Sequence, residues 1–183
     1  MTSALPDHGI PAGDVLAELT QRRAGDLPTH GGRLFTYVYD SGLDELDALA
    51  QSAYALSAHV NGLDPTAFPS LRGTENALVA ATATVLGAGP GTRADQVVGA
   101  VTSGGTESIL LAVKTARDAR PDVDRPRIVI PSTAHAAFAK AGHYLRVAVD
   151  VVDVDTETFR PEPRQIAAAI TDETVLVVAS APS

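Results

Sequence analysis

Between residues 96 and 180, short runs of valine and isoleucine alternate with helical patterns, and this alternation constrains the fold more than any other feature of the chain. QVVGAVT at 96–102, RIVIP at 127–131, a segment within RVAVDVVDV at 146–154 and TVLVVAS at 174–180 read as four strands. Helices are expected between and after them, over 105–119, 134–142 and 163–170. Near-continuous apolar strands that alternate with helices predict an α/β fold, a mostly parallel sheet with flanking helices. The order of the strands is not readable from this pattern. The last strand runs into SAPS with no following helix. Parallel strands need crossover segments to cover the sheet, so further or external material over that face is expected.

The amino-terminal part reads differently. A short helix is expected over 12–23, where Val15, Leu16 and Leu19 share a face, and a longer one over 43–59, with Leu46, Leu49, Ala53 and Leu56 at helical spacing. Asn61-Gly62 and Asp64-Pro65 open a turn that continues through Pro69-Ser70, and an alanine-rich helix follows over 73–87. The chain therefore divides into a helical and loop segment at 1–70 and the first part of an α/β domain at 71–183, ending after its fourth strand.

A content of 45% apolar and 20% charged residues is that of a folded chain. The net charge of −8 and only two lysines, Lys114 and Lys140, argue against a nucleic-acid surface. There is no cysteine, so thiolate chemistry and disulfides are excluded. No apolar run reaches the length of a membrane span, and the start lacks a signal-peptide pattern, so a cytoplasmic protein is expected. No HExxH or comparable cluster suggests a metal site.

Two stretches could carry chemistry. In VTSGGTESILL a strand runs into Ser103-Gly104-Gly105 and an apolar helix begins near Thr106. Unpaired N–H groups at a helix start favour an anion, and Ser103 and Thr106 could add hydroxyl donors. A strand-to-helix turn without a ligand, capped by Glu107, explains the same residues equally. The stretch has neither the GxGxxG of a dinucleotide site nor the GK[ST] of a Walker loop. In PSTAHAAFAK, His135 follows the carboxyl end of a strand, the side on which open α/β sheets bind ligands. It could stack on a flat heterocycle or move protons, or simply bond its own helix start. Lys114 and Lys140 read as surface ammonium groups. Tyr39 either anchors its loop or reaches a site, and Asn61 serves as an amide contact or a turn former.

Taken together, VTSGGTESILLAVKTARD, IVIPSTAHAAFAKAGHYL and TVLVVASAPS, preceded by FTYVYDSG and NGLDPTAFPSLRGTENALV, resemble the sphingosine-1-phosphate lyase branch of the group II pyridoxal-phosphate decarboxylases over about residues 32–183. The resemblance implies a partial large domain of the fold-type I transferase kind, with pyridoxal 5′-phosphate as cofactor. It implies a phosphate cup of Ser103, Gly104, Gly105 and Thr106, ring stacking by His135, and Ser180 at a strand end near the cofactor. Tyr39, Asn61 and Asp64 fall at the substrate end, partly in the neighbouring subunit's site, because family members are homodimers with composite sites. Catalytic roles fall to His135 and Tyr39. The implied activity is a carbon–carbon lyase or carboxy-lyase acting on a small-molecule amine or amino acid.

This sequence departs from the family twice. The Schiff-base lysine and the aspartate that pairs with the pyridine nitrogen lie downstream of an SAP motif like the one here, and neither Lys114 nor Lys140 stands in a matching context. The isolated 183 residues are therefore expected to be inactive. Asp64 stands where the phospholipid lyases carry a histidine in NxLHP, and an aspartate repels a phosphate. That favours an amino-acid decarboxylase as the alternative, with a non-catalytic phosphate-binding remnant as another.

Overall fold

The computed structural model describes residues 8–34, 40–88 and 97–180. The chain forms two compact units, Met1–Leu71 and Arg72–Ser183. Among the described residues no helix is long and apolar enough to cross a membrane.

The first unit contains α1 (Ala12–Arg22), a 3-10 turn (Arg23–Gly25) and α2 (Asp44–Ser57). Both helices lie close to the expected bounds. Asp44, Glu45 and Asp47 occupy the first turn of α2, where negative charge complements the helix dipole. Neither helix buries a single residue: Leu49 is 63% exposed and Leu56 85%. Amphipathic helices are stabilised mainly by covering their apolar face, so these faces lack the packing that would normally hold them.

The second unit comprises α3 (Pro69–Val85, whose first turn spans the boundary), α4 (Gly105–Asp118), β1 (Arg127–Pro131), α5 (Ala137–Leu145), β2 (Ala148–Val152), α6 (Pro163–Ala169) and β3 (Thr174–Val177). The three strands form a parallel sheet in the order β2-β1-β3, with Ile128 opposite Val149 on one side and Leu176 on the other. The expected α/β class and parallel sheet are therefore present. α4 and α5 pack on each other, while α6 packs on β1 and β2. The chain leaves β1 towards β2 and returns past β1 to β3. Right-handed crossovers in opposite directions place α5 and α6 on opposite faces. The core between sheet and helices is Val113, Ile128, Ile130, Ala141 and Val147, with Phe138 and Leu110 packed against it.

Two expectations are corrected. Residues 97–102 do not form a strand: the Val101 N–H donates to Oε1 of Glu75 on α3 at 2.8 Å, and no described strand offers it a ladder partner. The helix expected over 134–142 begins at Ala137 and runs to Leu145, because residues 132–135 make a turn in which the Ala134 N–H donates to the Pro131 carbonyl.

Arg127 at the start of β1 binds Asp150 on β2, with Nε 2.7 Å from Oδ2. This bond holds the Asp150 carboxyl below its ordinary range. A folded-state carboxyl with a depressed pKa stabilises the protein above the unfolded value, and the contribution fades as pH falls through the folded value. Below about pH 4 the urea midpoint of the native chain should therefore decline more steeply than that of Asp150→Asn, which has no proton to take up there.

Candidate active site

The parallel strands end along one edge of the sheet, and the order of the elements relates three of the candidate stretches to it. α4 leads through residues 119–126 into the beginning of β1, so its amino terminus points back towards the carboxyl ends of the strands. Ser103, Gly104, Gly105 and Thr106 stand at that terminus. His135 lies in the turn that leaves β1, and Ser180 follows the end of β3, the strand beside β1. His135 and Ser180 thus follow the carboxyl ends of two adjacent strands, the side on which open α/β sheets take ligands.

The first intrahelical bond of α4 runs from the Ser108 N–H to the Gly104 carbonyl at 3.1 Å, which leaves the N–H groups of Gly105 and Thr106 without an intrahelical acceptor. No atom lies within 4 Å of where a Cβ would stand on Gly104 or Gly105, so there is room beside these amides. The turn is braced from within. The Thr102 hydroxyl donates to the Gly104 carbonyl at 3.1 Å and lies 2.7 Å from Oγ of Ser108. Ser103 donates both its N–H (2.6 Å) and its hydroxyl (2.7 Å) to Oε2 of Glu107. These bonds, the hydroxyl foremost, hold the Glu107 carboxyl below its ordinary range. Of the four residues expected to grip a phosphate, Gly105 and Thr106 thus present open donors, whereas both donors of Ser103 are engaged. An open turn with amide donors and a threonine hydroxyl at a helix start fits a phosphate monoester.

His135 accepts the Ala137 N–H at Nδ1, 3.1 Å away, which places the proton of the neutral ring on Nε2 and fixes how the ring is tethered to α5. Thr133, two residues earlier, holds a buried Oγ1 with no hydrogen-bond partner among the described residues. This residue was not singled out by motif; a hydroxyl just past a strand end, near the candidate histidine, was the available signal.

The first unit carries the remaining candidates. Asn61 Oδ1 accepts the Leu63 N–H at 3.0 Å, the turn-forming use of that side chain. Asp64 Oδ1 accepts the Thr66 hydroxyl (2.6 Å) and N–H (2.8 Å), and these bonds lower the carboxyl pKa, so the group is an anion. Tyr39 lies outside the described residues. Lys114 pairs with Asp118 at 2.6 Å, one helical turn on, and Lys140 sits 5.5 Å from the Tyr144 ring centroid; both are exposed.

The parallel α/β sheet with its flanking helices is the arrangement of fold-type I pyridoxal-phosphate enzymes, a fold shared with solved lyase and decarboxylase structures. Residues 93–181 match the DegT/DnrJ/EryC1/StrS aminotransferase family. Over 97% of its length the chain is 41% identical to a sphingosine-1-phosphate lyase of Dictyostelium discoideum, of which it covers 33%. It is 28% identical to a probable L-tyrosine/L-aspartate decarboxylase of Methanocella arvoryzae, covering 44% of that protein. The structure of a Burkholderia pseudomallei sphingosine-1-phosphate lyase superposes on 97% of this chain with a TM-score of 0.80 at 30% identity, using 42% of that chain. The chain is thus a sequence relative of the sphingosine-1-phosphate lyase branch of the group II pyridoxal-phosphate-dependent decarboxylases, and it spans about a third of the length of the curated lyases it matches. The families it matches are pyridoxal-phosphate-dependent.

Proposed function

We propose that this chain supplies the cofactor-phosphate grip and part of the pocket wall of a pyridoxal-phosphate-dependent carbon–carbon lyase or carboxy-lyase that acts on an amine or amino-acid substrate. The observation that supports the proposal is the order of the elements, which sets the Ser103–Thr106 turn at a helix start and His135 and Ser180 after the carboxyl ends of adjacent parallel strands, in a chain related to lyases along nearly its whole length. Residues 71–183 serve as the first part of the cofactor-binding domain, and residues 1–70 contribute to the substrate end.

The N–H groups of Gly105 and Thr106 and the Thr106 hydroxyl hold the phosphate, with Gly104 leaving space for it and Ser103 shaping the turn through Glu107. His135 lies against the ring, its tautomer set by the Ala137 N–H, and keeps an Nε2 proton available at that atom. Ser180 borders the same pocket. When bound, pyridoxal phosphate supplies an electron-withdrawing ring that stabilises the negative charge left by bond cleavage at the substrate Cα. Asn61, Asp64 and Tyr39 are assigned to the substrate end, partly in the neighbouring subunit's site, of a cytoplasmic homodimer. The uncovered apolar faces of α1 and α2 support such a partner. The lysine that anchors the cofactor is neither Lys114 nor Lys140, whose ammonium groups are engaged on the surface, so the isolated chain is inactive in this reading.

The ionised Asp64 favours the amino-acid decarboxylase reading over a phospholipid one. A carboxylate held anionic by Thr66 repels a substrate phosphate and is compatible with a zwitterionic head group.

Calorimetric titration of the 183-residue chain tests the grip. Pyridoxal 5′-phosphate is expected to bind and pyridoxal not, and Thr106→Val should weaken binding about fivefold, the usual worth of one hydrogen bond. Equal behaviour of the two compounds would remove the phosphate cup. Aldehyde or carbon dioxide release by a longer protein that carries the lysine separates lyase from decarboxylase.

A further inference from the structure

We propose that His30 is a pH-operated clip that joins Asp40, just before helix α2, to Asp47 in its first turn. Its imidazole lies between two carboxylates. Nδ1 is 3.2 Å from Oδ1 of Asp40, in the loop, and Nε2 is 3.1 Å from Oδ2 of Asp47, in the first turn of α2. The Nδ1 contact is a hydrogen bond, and the Nε2 contact is an ion pair by distance and charge. Only the imidazolium has an N–H on each; the neutral ring has one proton and must give up one side.

Asp40 is fixed chiefly by two backbone amides. Its Oδ1 accepts the Gly42 N–H at 2.9 Å and its Oδ2 the Gly31 N–H at 2.8 Å, and these amides, with the His30 hydrogen bond, lower its carboxyl pKa to about 2. Across the range where histidine titrates, Asp40 stays an anion and His30 is the group that changes. The charged groups acting on His30 are Asp40, Asp47 and Asp44, all acidic, and the hydrogen bond to Asp40 is the largest of their effects. They raise its pKa above the ordinary 6.5.

The two sides are unequal. Asp40 is 18% exposed and hydrogen-bonded, whereas Asp47 is 49% exposed and interacts through charge. On deprotonation the ring accordingly keeps its proton on Nδ1 for Asp40. Nε2 then turns a lone pair towards the Asp47 carboxylate, and the α2 side of the clip opens. A folded pKa above the unfolded one places the closed state below 6.5 and its loss as pH rises through the folded value. This device does not depend on the cofactor assignment.

Nuclear magnetic resonance of the full 183-residue chain, following imidazole and amide nitrogens from about pH 5 to 9, is the test. His30 is expected to titrate above 6.5 and to end with Nε2 as the unprotonated nitrogen. The Asp47 amide should move with the same midpoint, and those of Gly31 and Gly42 should move little. Asp47→Asn, at a half-exposed position that folding tolerates, should lower the proton affinity of His30 about two- to fivefold, as expected for one exposed ion pair. A midpoint at or below 6.5, Nδ1 as the unprotonated nitrogen, or an unchanged midpoint in Asp47→Asn would each overturn the clip.

Discussion

Truncating Ile128 to alanine is expected to lower the stability of the second unit by about 2–5 kcal/mol, the cost of a cavity at a site that cannot collapse. Ile128 is fully buried on the central strand, paired with Val149 and Leu176, and it joins Val113, Ile130, Ala141 and Val147 in the core. Strands on both sides hold the backbone in place, so neighbouring groups have little freedom to move into the vacated space. The corresponding truncation on the edge strand, Val177→Ala, removes a side chain that is 44% exposed and should cost less than about 1 kcal/mol. Urea midpoints of the two variants, measured side by side, check both the magnitude and the position of the core. Equal losses would mean that β1 is not the buried centre.

Gly142→Ala is expected to destabilise the same unit by about 1–3 kcal/mol, although alanine is the better helix former. A Cβ at this position in α5 would stand 2.4 Å from Cγ2 of Val149 and 2.8 Å from the Val147 carbonyl oxygen. The valine methyl can rotate away, but the carbonyl belongs to the backbone that turns into β2. That turn is itself tied by the Val147 N–H donating to the Gly142 carbonyl at 3.0 Å, and it passes through Arg146 in the left-handed region, φ 56°. The overpacking therefore exceeds the gain in helix propensity of about 1 kcal/mol. Adding Val149→Ala to Gly142→Ala should relieve only the methyl contact. A double-mutant cycle by urea denaturation should find a favourable coupling and a residual loss relative to Val149→Ala alone.

The parts of this fold that depend on local pattern were legible. RIVIP and the helix after Gly105 fall where the runs of β-branched residues and the 3.6-residue spacing placed them. The alanine-rich helix starts at Pro69, earlier than expected, because proline is well suited to the first helical position, where its missing N–H costs nothing. What failed was non-local. Residues 97–102 have strand composition, yet a strand exists only where a neighbour supplies hydrogen bonds, and here the Val101 amide finds the Glu75 carboxylate instead.

The candidate site divides along the same line. The glycine-rich helix start singled out Ser103–Thr106, and strand-end logic singled out His135, without any knowledge of relatives. Capping by Glu107 is one of two readings the sequence leaves open at this turn, and the structure shows Glu107 taking both Ser103 donors. Asn61 and Asp64 are occupied with their own turns, so nothing in their local chemistry marks them for a substrate. Their assignment rests on resemblance alone, and so does that of Tyr39.

The strand order β2-β1-β3 also bears on how such a site changes over time. Because the connection leaving β1 departs towards β2, His135 is carried by a loop that shares no segment with residues 178–180 after β3. A residue inserted after β1 lengthens the His135 side without displacing residues 178–180. Each side can thus drift in length and composition on its own, and new substrate preferences can accumulate one loop at a time above an unaltered sheet.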